Sequence, residues 1–467
     1  MISALENGVQ GGQWFSLVDK AIRPATLEAA WRKVRANKGA AGVDAVSVER
    51  FAAKADAHLR ELGESLRTRT YRPSPVRRVE MPKGGGKTRP LGIPTVKDRI
   101  VQTALKMTIE PIFAAGFRTG SYGFRPGRGA KDALREADRL VKEGCVHVVD
   151  ADLRSYFDTI PHDRLVARVK ERISDGAILT LISGFLEQDV MSEAATWTPT
   201  AGTPQGAVLS PLLANIYLHP LDLLMEERGR RMVRYADDFV ILCREKEEAE
   251  AALREIEAWV AASGLELHPD KTRIGDCREP GQGFEFLGHR FEAGLRTVRD
   301  KSMAALRDRI RAKTKRTRGD ALEAIVADLN PMLRGWFGYF QHAWPRMLTN
   351  VDGFVRRRLR AILRKQEKQP GFGRCYDDHQ RWSNAFFADH GLFTMTAALE
   401  DARDPRWGNR QPESRMRENR TSGSERGEAK AFPTPMRLTR IGFFAGTSPR
   451  RPWIPAFAGM TRGPAWQ

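Results

Sequence analysis

The chain has 467 residues, with 77 Lys or Arg against 58 Asp or Glu, so its formal net charge is +19. A basic excess of this size predicts a polyanionic partner, nucleic acid first, because each phosphate that a Lys or Arg neutralises releases counterions. No run of 18 apolar residues occurs in the sequence, so we expect no membrane-spanning helix and no membrane partner.

The four cysteines stand apart along the chain, at Cys145, Cys243, Cys277 and Cys375. Because no CxxC pair is present, the sequence predicts neither a zinc ribbon nor a disulfide-stapled scaffold. The N-terminal residues also lack the basic-then-apolar pattern of a secretion signal. These features favour a reducing, cytoplasmic setting.

The first part of the chain is predicted to be mostly helical, with one hairpin. The stretch "TLEAAWRKVRANKG" predicts a helix that begins with Thr26 as its N-cap and ends near Gly39. The stretch "RPSPVRRVEMPKGGGKTRPLGIPT" predicts two strands joined by a Gly-rich basic turn from Lys83 to Lys87. A further helix is predicted for "VKDRIVQTALKMTIEPIF".

The middle of the chain is predicted to alternate strands and helices. Residues 146–153 predict a strand, and "GTPQGAVLSPLLANIYLHPLDLLM" predicts a loop followed by a long apolar helix. Residues 231–243, "RMVRYADDFVILC", predict two short strands around a turn at Asp237 and Asp238, since both flanks are β-branched and aromatic. A charged helix from Glu245 to Ala262 follows, and then strands in "GLELHPDKTRIGD" and "FEFLGHRF".

Residues 301–374 are predicted to be helical and strongly basic, with 18 Lys or Arg against six Asp or Glu. One helix there, kinked or interrupted at Pro331, is predicted to bury an apolar face made of Leu322, Ile325, Val326, Leu329, Leu333, Trp336 and Phe340. A second places Arg356, Arg360 and Arg364 at i, i+4 and i+8. We expect this stripe to bind RNA, with a solvated charged face as the alternative.

The adjacent Asp237 and Asp238 allow two interpretations, an ordinary hairpin turn or part of a metal site. Asp152, which ends the strand "VHVVDAD", supplies a third carboxylate, with Asp150 on the same face of that strand. Three acids at close quarters repel one another, and Mg²⁺ reverses that cost because it takes oxygen ligands and shares them with phosphates. Two such ions, about 3.5–4 Å apart, activate a hydroxyl and stabilise a leaving pyrophosphate. The second interpretation is therefore a nucleotidyl-transfer site.

These motifs together resemble the reverse transcriptases encoded by group II introns. An aspartate five residues before Phe157, followed later by "YADD" in an apolar hairpin, is similar to the palm of that family. The stretch "TPQGAVLSPLLANI" is similar to its loop and helix beside the incoming nucleotide, and "HPDKT" and "FEFLG" follow at the family's spacing. The stretches "KGGGKTRPLGIPTVKDRIVQ" and "SYGFRPGRGAKDAL" resemble the family's fingers motifs, and "NKGAAGVD" resembles its N-terminal extension. The stretch "LNPMLRGWFGYF" resembles the signature of its thumb. The resemblance covers residues 26–395.

The resemblance implies an α+β fold, a right-hand polymerase whose fingers and palm combine an antiparallel sheet with helices, followed by an α-helical thumb. The implied organisation is an N-terminal segment (1–25), fingers with an N-terminal extension (26–145), the palm with the catalytic site (146–295), the thumb or maturase domain X (296–372), a candidate DNA-binding segment (373–403) and a mostly disordered tail (404–467). We see no paired-cysteine, histidine-containing endonuclease module after residue 373.

The resemblance also implies a role for each matching residue. Asp152, Asp237 and Asp238 are the implied metal ligands and catalytic residues. The implied dNTP-binding residues are Arg89, Lys87 and Lys83 at the triphosphate, Phe157 as a steric gate against a ribose 2′-hydroxyl, Gln205 near the sugar or base, Tyr235 beside the nucleotide or primer end, and Lys271. The alternatives are a solvated turn for the two fingers lysines, a core aromatic for Phe157 and a plain strand aromatic for Tyr235.

The function implied by the resemblance is RNA-directed DNA synthesis with two Mg²⁺ ions, or Mn²⁺, combined with binding of the host intron RNA to assist splicing and intron mobility. The implied partners are group II intron RNA, an RNA template with a DNA primer, target DNA and dNTPs. Two alternatives remain open, a splicing-only maturase and a group II-like reverse transcriptase that serves in phage defence or at a CRISPR locus. A viral RNA-dependent RNA polymerase is disfavoured, because it needs a smaller residue at position 157.

Overall fold

The computed structural model describes residues 12–84, 87–192 and 195–403, with the backbone alone at residues 83, 84 and 87. The predicted disordered tail, residues 404–467, therefore lies outside the described residues. Among the described residues, those up to Thr396 belong to one compact unit and the helical residues 397–403 belong to a second. In the described part of the chain, no helix has the length and apolar character needed to cross a lipid bilayer.

The strands form three sheets in the part of the chain that the structure describes. Their bounds are β1 (Val76–Gly84), β2 (Lys87–Ile93), β3 (His147–Asp152), β4 (Val190–Met191), β5 (Thr196–Trp197), β6 (Arg231–Tyr235), β7 (Asp238–Cys243), β8 (Arg273–Asp276), β9 (Phe284–Phe286), β10 (His289–Glu292) and β11 (Leu295–Val298). The strand orders are β2-β1-β4-β5, β6-β7-β3-β8 and β11-β10-β9. Paired strands are antiparallel, except for β1 and β4, which are parallel.

Helices surround the sheets and make up the C-terminal part of the described chain. Their bounds are α1 (Val18–Ala21), α2 (Pro24–Asn37), α3 (Val48–Ala52), α4 (Ala55–Arg67), α5 (Val96–Ala114), α6 (Ala130–Lys142), α7 (Tyr156–Thr159), α8 (His162–Lys170), α9 (Gly176–Leu186), α10 (Ser210–Glu227), α11 (Lys246–Ala262), α12 (Asp300–Lys313), α13 (Leu322–Phe340), α14 (Pro345–Gln366), α15 (Tyr376–Arg381), α16 (Asn384–Asp389) and α17 (Met395–Arg403). The predicted α+β class is confirmed.

Two details of the predicted helices are wrong. Helix α2 begins at Pro24 rather than after Thr26, because proline at the first helical position has its backbone angle preset and lacks an N–H that would go unpaired there. Helix α13 runs through Pro331 without interruption. Its predicted apolar face is confirmed as buried, and the contacts of that face hold the helix together across the proline.

The central sheet β6-β7-β3-β8 carries the predicted hairpin. Strands β6 and β7 are its two arms, and β3 pairs with β7 so that His147 faces Cys243 and Asp152 faces Asp238. Alternate residues of β3 and β7, including Val149 and Ile241, belong to the main hydrophobic core. Helix α11 packs against both strands. Burial of one face therefore fixes which face of the sheet carries the carboxylates.

Strand β6 is the edge of the central sheet, and the loop before α6 covers it. The backbone N–H of Arg234 donates to the carbonyl of Gly120 at 2.8 Å, and the N–H of Tyr122 donates to the carbonyl of Arg234 at 2.8 Å. Gly123 then passes directly over the hairpin turn, where a β-carbon would lie 2.3 Å from the backbone nitrogen of Ala236. The loop thus pairs an otherwise open sheet edge and presses on the turn.

We predict that Gly123→Ala destabilises the chain, because the new methyl group meets backbone rather than a movable side chain. Overpacking of this kind costs about 1–3 kcal/mol, which lowers Tm by several degrees. Gly176→Ala is the matched control, since nothing lies within 4 Å of a β-carbon there. Differential scanning fluorimetry of both variants checks the prediction, and equal melting temperatures would show that the loop yields freely.

Candidate active site

The three predicted metal ligands meet at one end of the central sheet. Asp152 is the last residue of β3, and it lies directly opposite Asp238, the first residue of β7. Side chains opposite each other in an antiparallel pair point to the same face, with β-carbons about 4.5–5.5 Å apart. Asp237 precedes Asp238 in the turn, after Ala236, whose φ of +59° lies in the left-handed region. Residues far apart in sequence are therefore brought together as the sequence predicted.

The three carboxylates are withdrawn from water. Asp152, Asp237 and Asp238 are 7%, 5% and 3% exposed. Burial raises the pKa of the Asp237 carboxyl to about 7, the charge of Asp152 adds to the rise, and the charges of Arg89 and Arg234 oppose it. Among the described residues, the buried Oδ1 atom of Asp237 has no hydrogen-bond partner. A buried carboxylate oxygen without a hydrogen-bond partner costs folding free energy, and it is available as a ligand for a cation.

Lys271 lies against Asp152 rather than in an open nucleotide site. Its Nζ atom donates to Oδ2 of Asp152 at 2.5 Å, while the backbone N–H of His268 donates to the carbonyl of Asp152 at 2.7 Å. The side chain of Lys271 is 43% exposed. A surface lysine of this kind is held weakly by its partner, because solvent screens the pair. The predicted contact of Lys271 with dNTP stays a prediction.

The donor set at this site fits a hard divalent cation in its chemistry. Carboxylate oxygens are what Mg²⁺ prefers, and the unpartnered Oδ1 of Asp237 lies beside two further carboxylates. In the described part of the chain, however, no group of three or more His, Cys, Asp or Glu side chains is arranged to hold an ion. The ammonium group of Lys271 donates a hydrogen bond to Oδ2 of Asp152, the oxygen that a metal cation would otherwise bind. Asp152, Asp237 and Asp238 therefore carry the oxygen ligands that would hold a divalent cation.

A chain of hydrogen bonds joins Arg89, Gln205 and Asp158 beside the carboxylates. Nε of Arg89, on β2, donates to Oε1 of Gln205 at 2.7 Å, and Nε2 of Gln205 donates to Oδ2 of Asp158 at 3.1 Å. The N–H of Gly92 also donates to the carbonyl of Gln205 at 2.7 Å. Arg89 also lies near enough to Asp237 for its charge to lower the pKa of that carboxyl. Asp158 was not predicted, although it follows Phe157 directly.

Phe157 lies at the inner end of a cleft of about 330 Å³ between the first sheet and the loop before α10. Asp158 and Gln205 also line this cleft, together with Trp197 and Arg78. The ring of Phe157 is mostly buried and packs edge-on against Tyr156, so its position is fixed. Phe157 therefore packs as a buried aromatic and also lines the cleft, and its role as a steric gate stays a prediction.

Tyr235 ends β6 and pairs with Asp238 across the turn. Its ring lies 6.1 Å from that of Phe124 and is partly buried. Tyr339, from the predicted thumb signature, is also close. Burial and the nearby charges of Tyr235 and Asp238 raise the pKa of its hydroxyl. Tyr339 of α13 therefore lies close enough to the hairpin tip for the charge of Asp238 to act on its hydroxyl, a proximity that sequence spacing alone did not identify.

Arg234 is a residue of the site that sequence reasoning missed. It is fully buried next to the turn, and its Nε atom donates to Oδ1 of Asp222 at 2.7 Å. Its Nη1 atom donates to the carbonyl of Ala236 at 2.9 Å and to Oδ1 of Asn215 at 3.0 Å, and Nη2 donates to the hydroxyl of Ser121 at 2.8 Å. The guanidinium therefore holds the left-handed turn in place. An ionisable residue inside an apolar strand was the available signal.

The predicted RNA-binding stripe on α14 is wrong for Arg360. This residue is 3% exposed, its Nε atom donates to the carbonyl of Trp382 at 2.9 Å, and its guanidinium lies 5.5 Å from the ring of Phe387. Arg364 is paired with Asp378 at 2.6 Å, and burial lowers the pKa of Arg356. The guanidinium of Arg360 therefore serves packing against the segment of α15 and α16, while RNA binding by Arg356 and Arg364 stays a prediction. The side chains of Lys83 and Lys87 lie outside the described residues.

Comparison with known proteins gives two family matches along the chain. Residues 81–291 match the family model described as reverse transcriptase (RNA-dependent DNA polymerase). Residues 303–381 match the model described as group II intron, maturase-specific domain. The first match contains the three aspartates, Arg89, Phe157 and Gln205, and the second contains α13 and α14.

Individual relatives agree with these matches. The chain is 36% identical to protein YkfC of Escherichia coli K12 over 310 residues, which cover 57% of this chain and 80% of that protein. It is 36% identical to the group II intron-encoded protein LtrA of Lactococcus lactis over 204 residues, 43% of this chain but only 33% of LtrA. A chain of a solved structure titled "Partial Cas6-RT-Cas1–Cas2 complex" is 26% identical, with 53% of this chain and 41% of that chain covered, and its TM-score of 0.35 carries no argument.

We predict that Asp237→Asn stabilises the metal-free protein at alkaline pH. The pKa of Asp237 is about 7 in the folded chain and lower in the unfolded chain. Ionisation of the buried carboxyl therefore destabilises the folded chain increasingly as pH rises from the unfolded-state pKa to about 7, and the full loss of stability is reached above pH 7. An amide carries no such penalty. In the presence of a chelator, the Tm of Asp237→Asn should therefore exceed that of the wild type by several degrees at about pH 8. The difference should be smaller at about pH 5.

The matched control for this prediction is Asp389→Asn, at an exposed carboxylate at the end of α16. Its melting temperature should follow that of the wild type at both pH values. Equal stability of Asp237→Asn and the wild type at alkaline pH would mean that the Asp237 carboxylate is well solvated in the folded protein.

Proposed function

The chain belongs to the reverse transcriptases that carry a group II intron maturase domain, and from this premise we propose that it copies RNA into DNA at the three-aspartate site. The observation that carries the proposal is the pairing of Asp152 with Asp238 beside the unpartnered carboxylate oxygen of Asp237. The chain spans four fifths of YkfC but a third of LtrA, so the activity is proposed from the residues of this chain.

We propose that Asp152, Asp237 and Asp238 hold two Mg²⁺ ions, with Mn²⁺ as a substitute. The ions would supply activation of the primer 3′-hydroxyl and stabilisation of the leaving pyrophosphate. Release of Lys271 from Asp152 frees that carboxylate, and the charge of Lys271 then becomes available to a phosphate of the dNTP. Arg89, which lies between the aspartates and Gln205, is placed to neutralise the triphosphate.

The cleft at Phe157 supports the proposed choice of deoxynucleotides. A ring that is fixed by Tyr156 below it cannot move away from a sugar, so a 2′-hydroxyl would meet it. Gln205 lines the same cleft and is oriented by Arg89 and Asp158. The two residues together form the proposed sugar-facing wall of the dNTP site, with Tyr235 beside the primer end.

We also propose that the helical part of the chain binds group II intron RNA and thereby assists splicing. The maturase-domain match at 303–381 and the surplus of basic residues over 301–374 support this role. The proposed organisation is fingers to residue 145, palm to 295, thumb to 372 and a DNA-contacting segment to 403. The partners are then intron RNA, a primed RNA template, target DNA and dNTPs, with the cytoplasm as the site of action.

A splicing-only maturase is the second candidate function. The maturase-domain match would fit it equally well, but the metal ligands, Arg89, Gln205 and Phe157 are all present and arranged around one site. A decayed polymerase is under no constraint to keep that arrangement. We therefore propose that both functions are retained.

Asp237→Ala should abolish primer extension on a poly(rA) template while leaving RNA affinity largely unchanged. The substitution removes a carboxylate that the proposed chemistry needs, whereas RNA contacts lie on other residues. Glu257→Ala, at an exposed carboxylate of α11, should retain full extension. Loss of both activities in Asp237→Ala, in a protein that still folds, would contradict the division between the two functions.

Phe157→Val should admit ribonucleotides. The smaller side chain leaves room for the 2′-hydroxyl, so kcat/KM for rNTP should rise about 10- to 100-fold while that for dNTP changes little. Single-nucleotide extension with matched dNTP and rNTP gives both values. An unchanged ratio of the two would assign Phe157 to packing alone.

A further inference from the structure

The turn between α14 and α15 displays two large aromatic side chains to solvent. Phe372 is 64% exposed and Tyr376 is 76% exposed, although the other aromatic residues of this region are mostly buried. We call residues 368–376, "KQPGFGRCY", the aromatic–basic loop. Exposed aromatic side chains lose the benefit of burial, so a partner that covers them would restore it.

The loop has a defined shape. Its backbone carbonyls at Pro370 and Gly371 accept hydrogen bonds from Nε of Arg364 and from Nη2 of Arg316, the latter at 2.7 Å. Gly373 has φ of +70°, and a β-carbon there would lie 2.6 Å from Cβ of Arg360, so the loop is drawn closely onto α14. These contacts hold the backbone from which Phe372 projects. Its exposure therefore follows from the local structure.

The surface around Phe372 carries a surplus of positive charge. The guanidinium of Arg316 lies 4.9 Å from the Phe372 ring. Arg316, Lys368 and Arg374 have no carboxylate within ion-pair distance among the described residues. The carboxylates of Glu367 and Asp378 are already paired, with Arg381 and Arg364, respectively. Uncompensated cations beside an exposed aromatic ring match a phosphate next to a base.

We propose that the aromatic–basic loop is a platform for unpaired RNA nucleotides, on which Phe372 and Tyr376 stack bases while Arg316, Lys368 and Arg374 contact phosphates. The base faces of a duplex are hidden, so only a single-stranded segment can use the rings. RNA is the assigned strand because the loop lies within the maturase-domain match, which extends past residue 373 into the start of the proposed DNA-contacting segment, and because the Tyr376 hydroxyl can bond a 2′-hydroxyl. The inference rests on the proposed RNA binding and gives it a location other than the arginine stripe on α14.

The test uses the full chain and a labelled oligo(rA) of about 20 nucleotides, with binding followed by fluorescence anisotropy. Loss of one stacking ring is worth about 1–3 kcal/mol, so Phe372→Ala should weaken binding by at least about 5-fold. Phe372→Trp should bind as the wild type does. The matched control is Phe15→Ala, because Phe15 is also strongly exposed, at 80%, but lies near the N-terminus, just before α1. This variant should bind oligo(rA) as tightly as the wild type does.

Salt dependence separates the two kinds of contact. Arg374→Ala should lower the slope of log affinity against log salt by about 0.7, because one phosphate contact is lost. Phe372→Ala should leave that slope unchanged while lowering affinity at every salt concentration. Ultraviolet crosslinking of the wild-type complex should place crosslinks at Phe372 or Tyr376. Phe372→Ala should melt at the same temperature as the wild type in differential scanning fluorimetry, which shows that the variant folds.

Three results would overturn the inference. Equal affinity of Phe372→Ala and the wild type for oligo(rA) would contradict base stacking at the aromatic–basic loop, but it would not contradict the proposed RNA binding by the chain. An equal loss on oligo(dA) would contradict the assignment to RNA. Failure of the wild-type chain to bind any RNA would overturn both this inference and the proposed maturase role.

Discussion

The register between β3 and β7 is the constraint on which the rest of the site depends. Asp152 and Asp238 face each other because β3 and β7 pair in a register that places Val149, Ala151 and Ile241 in the main core. A slip of one residue would turn the carboxylate of Asp152 toward the helices and an apolar side chain toward the site. The same burial that stabilises the sheet therefore positions the acids.

This arrangement is stable only with help from outside the hairpin. The carboxylates are buried, the turn holds a non-glycine residue in the left-handed region, and both features oppose folding. Arg234 offsets part of this cost by holding the Ala236 carbonyl and by placing a positive charge near Asp237. Removing one partner of a buried ion pair such as Arg234–Asp222 costs about 3–5 kcal/mol, so the network is structural support for a strained site.

Local patterns in the sequence were sufficient for the elements that carry the site. The β-branched and aromatic residues on both sides of Asp237 and Asp238 predicted the hairpin, and the spacing of Leu322 to Phe340 predicted the buried face of α13. Contacts between distant segments were not predictable in the same way. The helical spacing of Arg356, Arg360 and Arg364 predicts that they share a face of α14. It does not predict that Arg360 bonds the carbonyl of Trp382 or that Arg364 pairs with Asp378. The pairing of Lys271 with Asp152 and the cluster around Arg234 likewise depend on tertiary structure.

Whether the three aspartates share metal ions is the central claim, and one measurement tests it most directly. Crystals of the chain with a primed RNA template, an unreactive dNTP analogue and Mn²⁺ would locate the ions by anomalous scattering. The account predicts two peaks within about 2.0–2.3 Å of carboxylate oxygens of Asp152 and of the 237–238 turn, with Lys271 released from Asp152. An Asp152 that stays bound to Lys271, with no ion at the turn, would contradict it.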